Sequence, residues 1–101
     1  MKLYISGPIS SPDPDIKRSN LERFNVEERK LRETYGCKII NPASLEGECD
    51  TWEDYLARDL LIIIREQPEI WLLPNWQSST GAKLEVAVAK RMKLKIHNEN
   101  G

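Results

Sequence analysis

A chain of 101 residues, 31% of them charged, has room for one domain with a modest core. Its 15 basic residues are matched by 16 acidic ones, for a net charge of -1, which excludes the basic footprint of a protein that binds polymeric nucleic acid. The longest apolar run, Leu60 to Ile64, is far short of a membrane span, and the opening MKLYISG is interrupted too early for a secretory signal.

Strands and helices alternate along the chain. KLYIS (2–6) is a short buried strand ending at Gly7-Pro8. A loop rich in Pro, Ser and Asp covers 8–18. The pattern then predicts a helix from about Ser19, as N-cap, to Tyr35, with Leu21, Phe24, Leu31 and Tyr35 as its apolar stripe and Gly36 as its stop. CKII (37–40) is the second strand, ended by Asn41-Pro42, and a second loop runs over 41–50. Thr51 with Asp54 resembles a capping box, and the second helix runs to about Glu66. EIWLLP (69–74) is the third strand, 75–80 the third loop, 79–92 the third helix, and KLKIHN a final strand. Cys37 reads as strand core and Cys49 as a loop residue. Neither has metal-ligand companions, so the expectation is a reduced, cytoplasmic protein without disulfide or zinc. Trp71 reads as sheet core and His97 as a surface residue.

This alternation predicts an α/β layered fold with a small parallel sheet of about four strands. Such sheets bind ligands beyond the carboxyl ends of their strands, where loops 8–18, 41–50 and 75–80 converge.

Two carboxylates lie on the wrong sides of their helices. At roughly 100° per residue, Glu85 falls inside the arc of Leu84, Val88, Ala89 and Met92, and Asp59 falls beside Trp52, Tyr55, Leu56 and Ile63. A buried carboxylate costs several kcal/mol unless it is paired or neutralised. Two converging on one cleft make a candidate catalytic pair. Glu85, near a helix start, is expected to be ionised and to suit a nucleophile. Asp59, among apolar neighbours, is expected to hold its proton and to suit a proton donor. That is the apparatus for cleaving a glycosidic bond. Ser78-Ser79-Thr80-Gly81 at the start of the third helix is a candidate anion seat, though a plain capping turn explains the hydroxyls as well. Gly7, Pro8 and Ser10 form a second candidate loop, Tyr4 is core or a hydroxyl aimed into the cleft, and Trp76 either stacks on a base or packs.

MKLYISGPIS, WEDYLARDL and LLPNWQSSTGAKLEVAVA, taken in order, resemble the nucleoside 2-deoxyribosyltransferase-like superfamily, and most closely its short branch of uncharacterised phage and bacterial proteins. The resemblance spans most of the chain. It implies a Rossmann-like or flavodoxin-like three-layer sandwich. It also implies Glu85 of the Gly-x-x-x-Glu stretch as nucleophile, Asp59 as the group assisting base departure, and Tyr4 as a positioning tyrosine. Ser79, six residues before Glu85, stands where the 2′-deoxynucleoside 5′-phosphate N-hydrolases have serine and the transferases have aspartate. The resemblance therefore implies a nucleotide substrate with water as acceptor, no cofactor or metal, and a homodimer or larger assembly. The first loop departs from the hydrolase branch in having Pro8 and Ser10 where that branch has serine and arginine. The alternatives are a binding module that holds a nucleotide as sensor or decoy, and a nucleoside transferase.

Overall fold

The computed structural model describes residues 1–45 and 49–100, so residues 46–48 of the second loop lie outside what is described. Strands β1 (Lys2–Ser6), β2 (Lys38–Ile40), β3 (Glu69–Leu72) and β4 (Ile96–His97) alternate with helices α1 (Pro14–Tyr35), α2 (Trp52–Glu66) and α3 (Thr80–Arg91). Every strand pairing is parallel, and the sheet order is β2-β1-β3-β4. The result is a three-layer α/β sandwich with flavodoxin-like strand order.

Alternation along the strands builds two cores. Tyr4, Ile40, Ile70 and Leu72 point to one face and pack with Ile63 of α2 and with Val86 and Ala89 of α3. Leu3, Ile5, Ile39 and Leu73 point to the other and pack with Phe24 and Leu31 of α1. Each fully buried aliphatic or aromatic side chain contributes about 1.5–3 kcal/mol. Side-chain period, not composition, therefore decides that Tyr4 and Ser6 look towards α2 and α3.

The strand order also places the cleft. The chain leaves β1 on one side to reach β2, then crosses back over β1 to reach β3. Loops at the carboxyl ends of β1 and β3 therefore diverge, which is the usual position of a ligand crevice in an open parallel sheet. The two strands stay zipped to the crevice floor, where the Leu73 N–H donates to the Ser6 carbonyl at 2.9 Å. Gly7 is needed there because a Cβ on it would stand 2.9 Å from the Cβ of Leu73.

α1 starts at Pro14, earlier than the sequence pattern suggests, and Ser19 is an exposed residue inside it and not its cap. The Asp13 carboxylate caps the helix by accepting from the Asp15 N–H at 2.9 Å. Pro14 takes the first helical position, where its missing N–H costs nothing. Prolines that read as loop markers are thus a helix start. The other end follows expectation: Gly36 adopts φ 60° and its N–H donates to the Arg32 carbonyl at 2.9 Å. Thr51 caps α2, its hydroxyl accepting from the Asp54 N–H at 3.1 Å. β3 ends at Leu72 rather than Pro74, and β4 is only Ile96–His97, because Lys93 and Asn98 turn the backbone to positive φ on either side. Among the described residues no helix is long and apolar enough to cross a membrane.

The position of the α1 cap is testable by denaturant titration. Asp13→Ala is expected to cost about 1 kcal/mol, whereas Ser19→Ala stays within about 0.5 kcal/mol of the parent. A larger loss at Ser19 would contradict the start at Pro14.

Candidate functional site

A cleft of about 960 Å³ opens at the carboxyl edge of β1 and β3. Its walls come from the Gly7–Ser11 loop, the first turns of α1, Pro42 and Ala43 after β2, one face of α2, and the start of α3. The loop after β2 is fixed by Asn41. Its amide donates to Asn25 and Glu28, each at 3.0 Å, and its carbonyl oxygen accepts from the Ala43 N–H at 2.9 Å.

Glu85 lines the cleft with only 6% of its surface exposed. The Tyr4 hydroxyl donates to its Oε2, and the Ser6 hydroxyl donates to its Oε1 at 2.8 Å. Tyr4 and Ser6 are two apart on β1, so the pleat aims both at the same carboxylate. Burial pushes the Glu85 carboxyl up to about 7, the two hydroxyls pull it down, and the negative charge of Asp59 pushes it further up. The expected ionisation by the helix start does not prevail. Dipole stabilisation is confined to the first turn, and Glu85 lies in the second turn of α3. Tyr4 is held well above the ordinary tyrosine value by burial first and by the Glu85 charge second, so it remains a hydrogen-bond donor throughout the physiological range.

Asp59 lines the same cleft with its side chain 14% exposed. Burial raises its carboxyl above the ordinary aspartate value, as the sequence pattern predicts, while the adjacent Arg58 charge and hydrogen bond oppose the rise. The Arg58 Nε donates to Asp59 Oδ1 at 3.0 Å. The two carboxylates selected by helical arithmetic therefore do meet in one cavity.

The α3 start divides its hydroxyls between structure and cleft. Ser78 donates to the Asn75 carbonyl at 2.7 Å and is committed to the turn. Ser79 caps α3 by accepting from the Ala82 N–H at 3.1 Å, which leaves its own hydrogen for a ligand. Thr80 and Gly81 open the helix, where N–H groups have no intrahelical partner. All three line the cleft, as do Gly7, Pro8 and Ser10. Positive charge comes from Lys17 and Arg23 on α1 and Arg58 on α2.

Trp76 does not line the cleft. It packs against the core beneath β3, and its indole N–H donates to the Glu99 carbonyl at 3.3 Å. The aromatic faces offered to the cleft are those of Trp52 and Tyr55 instead, with 41% and 38% of their surface exposed. His97 is half-buried rather than superficial: its Nε2 lies 2.8 Å from Glu69 and its ring lies 5.2 Å from that of Trp71.

Residue-type reasoning missed Ser6, Arg58, Lys17 and Arg23. Ser6 was available from strand alternation, two residues past Tyr4. Lys17 falls outside the helix predicted from Ser19, Arg23 reads only as a polar residue of that helix, and Arg58 neighbours Asp59 on a helix, where adjacent side chains ordinarily face apart. Among the described residues no cluster of three His, Cys, Asp or Glu is placed to hold a metal ion.

A family model described as Domain of unknown function (DUF4406) matches residues 1–98. The chain belongs to that family. Comparison with curated proteins and with solved structures gives no match.

The raised Glu85 carboxyl has a thermodynamic consequence. Unfolded, Glu85 titrates near its ordinary 4.5; folded, it titrates near 7, so between these values the folded state alone holds the proton. Its contribution to stability is complete below about pH 4.5 and is lost as pH rises through 7. The loss is on the order of 3 kcal/mol. Denaturant titrations at pH 5 and pH 8 should show the parent weakening at the higher pH and Glu85→Gln weakening much less. Parallel behaviour of the two proteins would refute the assignment of this proton.

Proposed function

We propose that the protein is an N-glycosidase that cleaves the base–deoxyribose bond of 2′-deoxynucleoside 5′-monophosphates. The reading rests on one observation above the others: a buried carboxylate, gripped by two hydroxyls, shares a nucleotide-sized cleft with a second carboxylate. It accords with the resemblance to the nucleoside 2-deoxyribosyltransferase-like superfamily and its phosphate N-hydrolases.

In this reading a Glu85 oxygen attacks the anomeric carbon as the bond to the base breaks. The bonding electron pair leaves on the base nitrogen, and the proton of Asp59 neutralises the base. Water then attacks the same carbon, releases Glu85 as carboxylate, and gives a proton back to Asp59. Tyr4 and Ser6 orient Glu85 and lower the cost of its ionised form. The 5′-phosphate sits on the Ser79 and Thr80 hydroxyls and the free N–H groups of the α3 start, faced by Lys17 and Arg23. Those two cations answer the charge that Pro8 and Ser10 do not. A carboxylate at position 79 would repel the phosphate, which favours a nucleotide over the unphosphorylated nucleoside of a transferase. Trp52 and Tyr55 supply flat apolar surface for the base. The free thiols of Cys37 and Cys49 accord with a reduced, cytoplasmic setting. Exposed Leu61, Ile64 and Leu84 on α2 and α3 support assembly with further copies.

One observation favours a nucleotide-binding module instead. Both Glu85 oxygens already accept a hydrogen bond, which draws electron density from each and makes the carboxylate a weaker nucleophile.

Incubation with each 2′-deoxynucleoside 5′-monophosphate, followed by chromatography for free base, separates the readings. Base release is expected from the parent and not from folded Glu85→Gln. Because Asp59 must hold its proton while Glu85 is ionised, kcat/KM should be bell-shaped in pH, falling at high pH as Asp59 loses its proton and at low pH along a Glu85 limb. Tyr4→Phe removes a hydrogen bond that holds the Glu85 carboxyl down, so that limb should move to higher pH. Binding without release from any nucleotide would move the conclusion to the binding module, and base exchange between unphosphorylated nucleosides would move it to a transferase.

A further inference from the structure

Neighbouring residues on a helix point about 100° apart and do not ordinarily meet. Arg58 and Asp59 of α2 meet nonetheless. The Arg58 Nε donates to Asp59 Oδ1 at 3.0 Å, and its Nη2 lies 3.0 Å from the same oxygen. Nη2 also donates to the Pro42 carbonyl at 3.3 Å, which ties α2 to the loop after β2. The guanidinium carbon lies over the Tyr55 ring, 5.2 Å from its centre. The guanidinium is thus held on three sides, and its side chain is only 23% exposed. Long basic side chains ordinarily keep their heads in water. Both contacts with Asp59 fall on Oδ1. Among the described residues Oδ2 has no hydrogen-bond partner, although Asp59 lines the cleft.

We propose that Arg58 is a positioning residue: it fastens Asp59 by Oδ1, so that Oδ2 is the atom presented to the ligand, and it acts on the reaction through Asp59 and not through contact with substrate. The proposal rests on the glycosidase reading for its catalytic consequence and on the contacts of Arg58 for the clamp itself. A carboxylate with one oxygen pinned has lost the rotation that would exchange its two oxygens. Its proton then has one place to go. The charged and titratable groups around Asp59 are Arg58 on its own helix, Glu85 of α3 and Tyr4 of β1, each coupled to it or to one another through charge. Arg58 alone of these opposes the desolvation of Asp59, so its removal leaves a half-buried carboxyl that takes up its proton at higher pH.

The test compares Arg58→Met, which keeps the aliphatic stem, with Arg58→Lys, which keeps the charge. Carbon-detected NMR titration of the Asp59 carboxyl, without ligand, should show the midpoint moving upward in Arg58→Met and moving less in Arg58→Lys. An unmoved midpoint in Arg58→Met overturns the clamp. In base-release assays Arg58→Met should lower kcat by about tenfold or more while KM stays within about threefold. In an Asp59→Asn background the same change should have no further effect. A rise in KM with kcat unchanged, or losses that multiply in the double variant, would show that Arg58 touches the substrate and would overturn the positioning role. If the parent releases no base at all, the glycosidase reading fails, and the ligand-free titration still decides the clamp.

Discussion

The grip of Tyr4 and Ser6 on the buried Glu85 carboxylate is the constraint on which the rest of the site depends. A lone carboxylate in that position would be too costly to keep. Two hydroxyl donors reduce the cost without adding a counter-charge, so the group stays polarised rather than neutralised by a cation. An ion pair would have held Glu85 firmly ionised and poorly nucleophilic. Apolar walls alone would have held it protonated. Hydroxyl donors place it between these limits, near neutrality.

That grip requires the parallel sheet. Tyr4 and Ser6 face Glu85 only because β1 is a central strand, flanked by β2 and β3, with α3 packed on the face to which its even-numbered residues point. The reversal of strand order around β1 opens the crevice above them. Gly7 then lets the first loop leave over Leu73 without closing that crevice. The polar end of β1 and the absence of a side chain at residue 7 are two consequences of one geometry.

The layered fold and the inward placement of Glu85 and Asp59 were legible from the sequence because each rests on period alone. Helical spacing turned Glu85 and Asp59 inward, and the structure places both in the cleft. What was not legible depends on tertiary context. The proton affinity of Glu85 turns on burial outweighing the hydrogen bonds of Tyr4 and Ser6, and no spacing rule weighs the two. The role of Trp76 depends on the backbone of Glu99, which returns to meet it. Lys17 escapes the pattern for a local reason: Asp13-Pro14 reads as loop chemistry, although aspartate followed by proline is also a strong helix start. That later start leaves Lys17 outside the helix, although the structure places it on the cleft wall.

The charges in the cleft also explain why two acids tolerate each other there. Asp59 and Glu85 each raise the cost of ionising the other, and an arriving phosphate would raise it again. In the glycosidase proposed above, substrate binding without compensation would protonate Glu85 as the substrate arrives. Arg58 offsets the charge of Asp59 directly, while Lys17 and Arg23 add positive charge to the α1 wall of the same cleft. Positive charge is therefore kept away from Glu85 itself and distributed over the groups that would otherwise silence it. A single cation beside Glu85 would hold it ionised, but it would leave the carboxylate with little to gain from attacking a carbon centre.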